Sequence, residues 1–381
     1  MATLLRSRNA LSLRVFAIQS RQMSSYGYEQ AQCLSFAKYG EPKEVLKLHR
    51  HSISPAHGNL VTIKFLASPI NPADINQIQG VYPSKPTFSG SIGSSEPLAV
   101  GGNEGLAEVV SVGNKVSKLR CGDWVIMNGP GFGTWRTHAQ TTEDKLAPIR
   151  NHEGVTPEQV GTVSINPLTA YRMLRDFVPL QQDEWFIQNG ANSGVGRAAI
   201  QLGKEWGYKS INIVRQRKSE EQMASLREEL KTLGADVVVT DEEVQSRDFP
   251  KRVEELTGKA PVRLALNCVG GPLVNFMAKM LAPGSHVVTY GAMSKQPVSL
   301  PMGLLIFKNI TFSGFWVSQW SKLHPEQRQK CIDEVLDLTR AGKFKDTPMQ
   351  KVKWTGDGKS LIDAVQGTLD GFRDKSIFIF E

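Results

Sequence analysis

The sequence holds only four cysteines, Cys33, Cys121, Cys268 and Cys331, and no two of them form a C-x-x-C pair. Thiols so widely scattered exclude a disulfide framework and a structural zinc lobe, and the plain reading of all four is buried or idle. Also missing is any run near the roughly 18 apolar residues that a membrane span needs. Acidic residues are absent from the first 23 positions, which carry Arg6, Arg8, Arg14 and Arg21 among serines and leucines. That composition predicts a mitochondrial presequence over residues 1–23 and a mature protein in the mitochondrial matrix; arginines interrupt any apolar core that a secretory signal would need. Subtracting those four arginines takes the net charge from +8 to +4. A mildly basic chain of this kind excludes a nucleic-acid binder driven by bulk charge.

What is present points to two domains, since 381 residues exceed one core of ordinary size. Residues 30–165 read as short strands between Gly, Pro and Asn turns, with LVTIKFL (60–66), 108–112 and 123–127 as examples. This predicts a mostly antiparallel β domain. Between Pro83 and Glu96, PSKPTFSGSIGSSE offers almost nothing to bury and is expected to be a mobile surface loop. In 166–319 the rhythm changes. Apolar strands begin near Phe186, Ile211, Val237, Leu264, His286 and Ile310, with helical stretches between them. The starts lie 22 to 27 residues apart, the length of a strand, a crossover helix and two loops. A doubly wound parallel α/β sheet follows. Residues 320–381 supply one helix (326–340) and short strands in KVKWTG and KSIFIFE, too little for a core of their own. They are expected to return to the first domain, so that the Rossmann-type unit is inserted into a discontinuous substrate domain.

The first strand of that alternation runs into Asn189-Gly-Ala-Asn-Ser-Gly-Val-Gly196, and RAAIQLGKEWG follows as a helix. Glycines there let backbone N–H groups and a helix N-terminus approach a pyrophosphate. The spacing of Gly190, Gly194 and Gly196 departs from G-x-G-x-x-G, and glycine at a strand-to-helix corner also serves plain geometry. Location decides for a cofactor. At the end of the second strand an NAD enzyme would carry a carboxylate for the ribose 2′-hydroxyl. This chain instead has Arg215-Gln216-Arg217-Lys218. Guanidinium groups suit a 2′-phosphate, so NADPH is expected over NADH. A solvated basic turn is the alternative.

Several segments together resemble the medium-chain dehydrogenase/reductase superfamily. Zinc-dependent members carry a histidine in a G-H-E motif, where this sequence reads Gly101-Gly102-Asn103-Glu104-Gly105. Without that imidazole or paired cysteines a tetrahedral zinc site cannot be assembled, and no metal is expected. More narrowly, the chain resembles mitochondrial trans-2-enoyl-thioester reductases, the enoyl-acyl-carrier-protein reductases of organellar fatty acid synthesis. The resemblance rests on NPADINQIQGVYPSKP (71–86), GGNEG (101–105), FGTWRTHA (132–139), INPLTAYRML (165–174), IQNGANSGVG (187–196), LALNCVGG (264–271), YGAM (290–293), LLIFKN (304–309) and GFWVSQW (314–320). VRQR and YGAM are minor variants of the family's VRDR and YGGM.

The resemblance implies a GroES-like substrate domain, a homodimer, and Tyr82 as the catalytic residue. It also implies cofactor contacts from Asn166, from Asn192, Ser193, Gly194 and Val195, and from Arg215, Gln216 and Arg217. Further contacts are implied from Tyr290, Gly291, Ala292 and Met293, from Phe315, Trp316 and Val317, and from Lys375. On its own residue type a lysine in a terminal strand is a solvated charge, and Phe315 and Trp316 could be core or interface aromatics. The implied reaction is reduction of a C2–C3 double bond conjugated to a thioester on acyl carrier protein or CoA, with hydride to C3 and a proton to C2. A tyrosine, ordinarily near pKa 10, keeps its proton at neutral pH and can supply the second. A quinone or alkenal reductase of the same superfamily is the alternative within the enzymes. An RNA-binding or nuclear-receptor-interacting module on a reductase fold is the alternative outside them.

Overall fold

A computed structural model describes residues 27–368 and 375–381 of the chain. The presequence expected over 1–23 lies outside the described residues. Among the described residues, no helix is long and apolar enough to cross a membrane.

Six strands form one all-parallel sheet in the order Val237–Thr240, Lys209–Val214, Trp185–Asn189, Val262–Asn267, His286–Thr289, Thr311–Gly314. Counted along the chain that order is 3-2-1-4-5-6, the doubly wound arrangement read from the sequence. Its strands are apolar at successive positions because both faces are covered. Phe186, Leu264, Leu266 and Val288 join one core layer; Trp185, Ile187, Ile211, Ala265 and Val287 join the layer on the opposite face.

The first layer does more than close this sheet. It is continuous with Leu106, Ile126, Val160 and Leu168 of the preceding segment and with Ile332, Val335 and Leu336 of the helix Pro325–Arg340. One apolar core therefore joins the two lobes and fixes the cleft between them.

The other lobe is built on Leu60–Pro69. This strand pairs antiparallel with Leu106–Val112 and His138–Thr142, and with Lys375–Ile379 from the far end of the chain, Ile379 lying opposite Ala67. Met349–Lys353 runs parallel to that last strand. The last strand thus joins this lobe by sheet pairing, whereas the helix Pro325–Arg340 packs in the core shared by both lobes. Phe65, Trp135, Phe378 and Leu361 fill the core behind it.

The segment 83–96 departs from expectation. Pro86 and Ile92 are buried, Phe88 packs edge-on against Phe36 and Tyr39, and Ser89 and Leu98 exchange backbone hydrogen bonds. Three apolar anchors among the serines and glycines hold it against the lobe, where composition alone suggested a loop with almost nothing to bury.

Candidate active site

The strand Trp185–Asn189 ends at Gly190, whose φ of +60° lies in the left-handed region that favours glycine. The helix Gly194–Glu205 then begins, and the Ser193 hydroxyl accepts the N–H of Gly196 at 3.1 Å as its cap. A Cβ on Gly196 would lie 2.5 Å from the Ala191 carbonyl oxygen, and one on Gly194 would lie 2.9 Å from the Asn166 amide nitrogen. The turn is therefore bare backbone packed under Asn166, opening a helix N-terminus toward the cleft. Asn192 and Val195 belong to the same turn; the Asn192 carbonyl accepts from Arg197 Nε at 3.0 Å.

Arg215, Gln216 and Arg217 follow the next strand. The Gln216 N–H donates to Asp241 at 2.9 Å, and Arg217 Nη1 donates to the Arg215 carbonyl at 3.0 Å. Burial and the neighbouring Arg215 charge pull the Arg217 pKa down, the expected response of a cation crowded by another. A dianionic phosphate would relieve that crowding.

Tyr290, Gly291, Ala292 and Met293 leave the strand His286–Thr289 at its C-terminal end. The Tyr290 N–H is held by the Asn267 carbonyl and the Met293 N–H by the Cys268 carbonyl. The Tyr290 hydroxyl is buried beside Cys268 and Ser193, and burial raises its pKa well above the ordinary value. Phe315 turns inward, its ring edge-on to Phe177, and Val317 packs on the shared core. Trp316 turns outward. It is 38% exposed, yet its indole N–H donates to the Tyr82 hydroxyl at 2.9 Å, the two rings lying edge-to-face. The core reading thus fits Phe315 and not Trp316.

Tyr82 follows the helix Pro72–Ile78 and the turn at Gly80 (φ +75°). Its N–H and that of Val81 both donate to the Asn76 carbonyl, fixing the backbone there. Burial raises the hydroxyl pKa, the Trp316 hydrogen bond opposes the rise, and the nearby Asp74 charge adds to it. The oxygen accepts from Trp316, so the phenolic proton is directed elsewhere.

Beneath lies a buried polar cluster that sequence reasoning missed. Glu104 accepts from Asn71 Nδ2 (3.0 Å), the Ile165 N–H (2.8 Å) and the Ser164 hydroxyl (3.2 Å). Asn71 in turn accepts from Asn166 at 3.4 Å. Asp74 accepts from the Asn71 N–H at 2.7 Å and from Asn103 at 2.6 Å, and burial pushes its pKa up to about 6. Asn71-Pro-Ala-Asp74 carried a signal, for a short polar residue followed three positions later by an acidic one marks a helix start. Asn103, which stands at the zinc histidine's position, commits its side chain to Asp74, Gln77 and the Gly131 N–H.

Lys375 corrects its surface reading. The ammonium group is buried and lacks a hydrogen-bond partner among the described residues, and the residue lines, with Asn166, a cavity of about 30 Å³. Burial lowers its pKa while Glu104 and Asp74 hold it up. A buried cation is expensive unless an anion or dipole joins it.

A parallel sheet of this order, a bare glycine turn at its switch point and a basic turn one strand away define a dinucleotide-dependent oxidoreductase of the medium-chain dehydrogenase/reductase type. Residues 57–152 match the alcohol dehydrogenase GroES-like domain family, and residues 194–337 the zinc-binding dehydrogenase family. The mitochondrial enoyl-[acyl-carrier-protein] reductase of Schizosaccharomyces pombe is 42% identical over 369 residues, covering 96% of this chain and 98% of the relative. The solved Etr1p/NADP/crotonyl-CoA complex superposes with a TM-score of 0.87 at 39% identity, covering 92% of this chain and 99% of that one. The mitochondrial 2-enoyl thioester reductase heterodimer Etr1p/Etr2p from Candida tropicalis gives 0.85 at 39% identity, with the same coverage. The chain belongs to the mitochondrial enoyl-[acyl-carrier-protein] reductase family.

Proposed function

We propose that this protein reduces trans-2-enoyl thioesters to saturated acyl thioesters in the mitochondrial matrix, with Tyr82 as the proton donor. NADPH supplies the hydride, delivered to C3 of the substrate. The glycine turn Asn192–Gly196, with the helix behind it, suits the pyrophosphate; Arg215 and Arg217 suit the 2′-phosphate. Asn166, packed on Gly194, and Lys375, buried behind it, suit the rest of the cofactor.

The observation that carries the reading is the hydrogen bond from Trp316 to Tyr82. Because burial keeps the phenol protonated and its oxygen is already an acceptor, its one proton is available to C2 of the substrate. The phenolate left behind keeps the Trp316 N–H, a donor to the charge that forms. Solvent then returns the proton, for Tyr82 is only half-buried.

Two further features support assembly and delivery. Leu305, Ile306 and Phe307 are exposed, Phe307 at 84%, beside Thr311–Gly314, the last strand of the parallel sheet. A strand edge with no neighbour among the described residues, flanked by an apolar patch, favours pairing with a second copy, hence a homodimer joined through the cofactor domains. The mildly basic mature chain is compatible with an acidic acyl carrier protein as the substrate's bearer.

NADPH oxidation measured with crotonyl-CoA and, separately, with a quinone tests the reading. Turnover of the thioester alone is expected; turnover of the quinone alone would overturn it.

A further inference from the structure

We infer that Gln77 and Asn103 form a buried amide brace that sets the position of the Tyr82 hydroxyl, making both of them positioning residues for the proton transfer. The inference rests on the reading of Tyr82 as proton donor and adds residues to which that reading gives no part.

Gln77 sits in the last turn of the helix Pro72–Ile78 and is 4% exposed; Asn103, from the segment between two strands of the same lobe, is 9% exposed. The two hydrogens of Asn103 Nδ2 go to Asp74 Oδ1 and Gln77 Oε1, each at 2.6 Å, and Asn103 Oδ1 accepts the Gly131 N–H at 2.7 Å. Those partners leave Asn103 one orientation. Turned over, its carbonyl oxygen would face a carboxylate and a second carbonyl, and its NH₂ would face the Gly131 N–H.

With Oε1 of Gln77 so engaged, Nε2 must point the other way, and it donates to the Ser84 carbonyl at 3.0 Å. That carbonyl lies two residues beyond Tyr82. On the near side the Gly80 N–H donates to the Gln77 carbonyl and the Tyr82 N–H to the Asn76 carbonyl. The turn carrying the tyrosine is therefore tied to the helix before and after the ring, and the second tie is a side chain whose orientation a third residue dictates.

The Asn103 bonds to Asp74 and Gln77 are buried, so breaking one strands its partner away from water, while the tie from Gln77 to Ser84 is half-buried. Backbone ties alone would fix where Tyr82 begins. The tie at Ser84 fixes the exit of the turn, and with both ends held the ring has little freedom to leave the Trp316 N–H. A donor oxygen displaced by about 1 Å loses rate steeply, by up to about 100-fold.

The test is a double-mutant cycle read in kcat on crotonyl-CoA at saturating NADPH. Gln77→Met keeps the length of the side chain and deletes both amide contacts. Asn103→Ser carries the same test from the far end should Gln77→Met fail to fold, and a cofactor titration accompanies each. In the wild-type background each variant is expected to lower kcat about 10-fold or more, with NADPH affinity held within about two-fold. In the Tyr82→Phe background, where no hydroxyl remains to be positioned, the same substitution should change kcat by less than about two-fold. Equal losses in both backgrounds, or wild-type kcat in the single variants, would overturn the brace while leaving the proton donor standing. Wild-type kcat in Tyr82→Phe alone would remove the donor and the brace together.

Discussion

Trp316 and Tyr82 are 234 positions apart in the sequence, yet the indole N–H of one lies 2.9 Å from the hydroxyl oxygen of the other, across the cleft between the lobes. Because the indole can only donate, the phenol can only accept from it, and the direction of this bond decides which way the phenolic proton points. If Tyr82 is the proton donor proposed above, the relationship makes Trp316 the support of the charge left on its oxygen. Trp316→Phe keeps a ring and removes the N–H. A hydrogen bond to a charged group contributes about 1.5 to 3 kcal/mol, so kcat should fall about 10-fold or more while NADPH binding persists. The Tyr82 pKa should rise, since the Trp316 bond is what opposes burial. Stopped-flow reduction of crotonyl-CoA across alkaline pH checks both; an unchanged rate would mean that the contact is packing.

In the proposed reading, cofactor choice rests on the basic turn. The double variant Arg215→Ser with Arg217→Ser should lose NADPH affinity and spare NADH, by about 10-fold or more in the ratio of the two kcat/KM values. Steady-state kinetics with both cofactors settles it. A ratio unchanged by the double substitution would make the turn a solvated surface.

A pH effect follows from His51, on the strand Lys47–Ile53. Burial, then the stacked His49 and the Arg136 charge, lower its pKa from 6.5 to about 4. A histidine with a depressed pKa contributes stability that is complete above pH 6.5 and lost as pH falls through about 4. Thermal unfolding followed from pH 7 to pH 4 should therefore show a steeper fall for wild type than for His51→Gln. Parallel profiles would contradict the assignment.

The parallel sheet was legible because strands buried on both faces write continuous apolar runs, with glycine at the turn that follows the first of them. Lys375 shows where that reading stops. Its environment comes from its strand pairing with Leu60–Pro69 some three hundred residues earlier, and from Glu104 and Asp74 brought beneath it by yet other segments. No local pattern carries such information. Asn103 illustrates a subtler loss: its identity indicated the missing metal ligand, while its partners Asp74, Gln77 and Gly131 come from two separate turns of chain. Phe88 and Ile92 were visible in the Ser-rich segment and were outweighed by the residues around them.

Glu104 joins the lobes through Asn71 and the start of the helix Asn166–Asp176. Glu104→Ala would leave the Ile165 N–H unsatisfied and the nearby Lys375 charge less compensated, at a cost of about 3 kcal/mol or more. Urea unfolding should show a lower midpoint with an unchanged slope. A midpoint equal to wild type would mean that the cluster rearranges without loss.

The central claim is that the Tyr82 hydroxyl supplies the proton, and Tyr82→Phe tests it while keeping the ring. With chemistry made rate-limiting, kcat on crotonyl-CoA should fall by about 10² to 10⁴. NADPH affinity and melting temperature should stay near wild type, since the glycine turn, Arg215 and Arg217 are untouched and the phenol bonds to a half-exposed indole. A Tyr82→Phe enzyme that binds NADPH normally and turns over at the wild-type rate would contradict the claim and leave Tyr82 as a wall of the cleft.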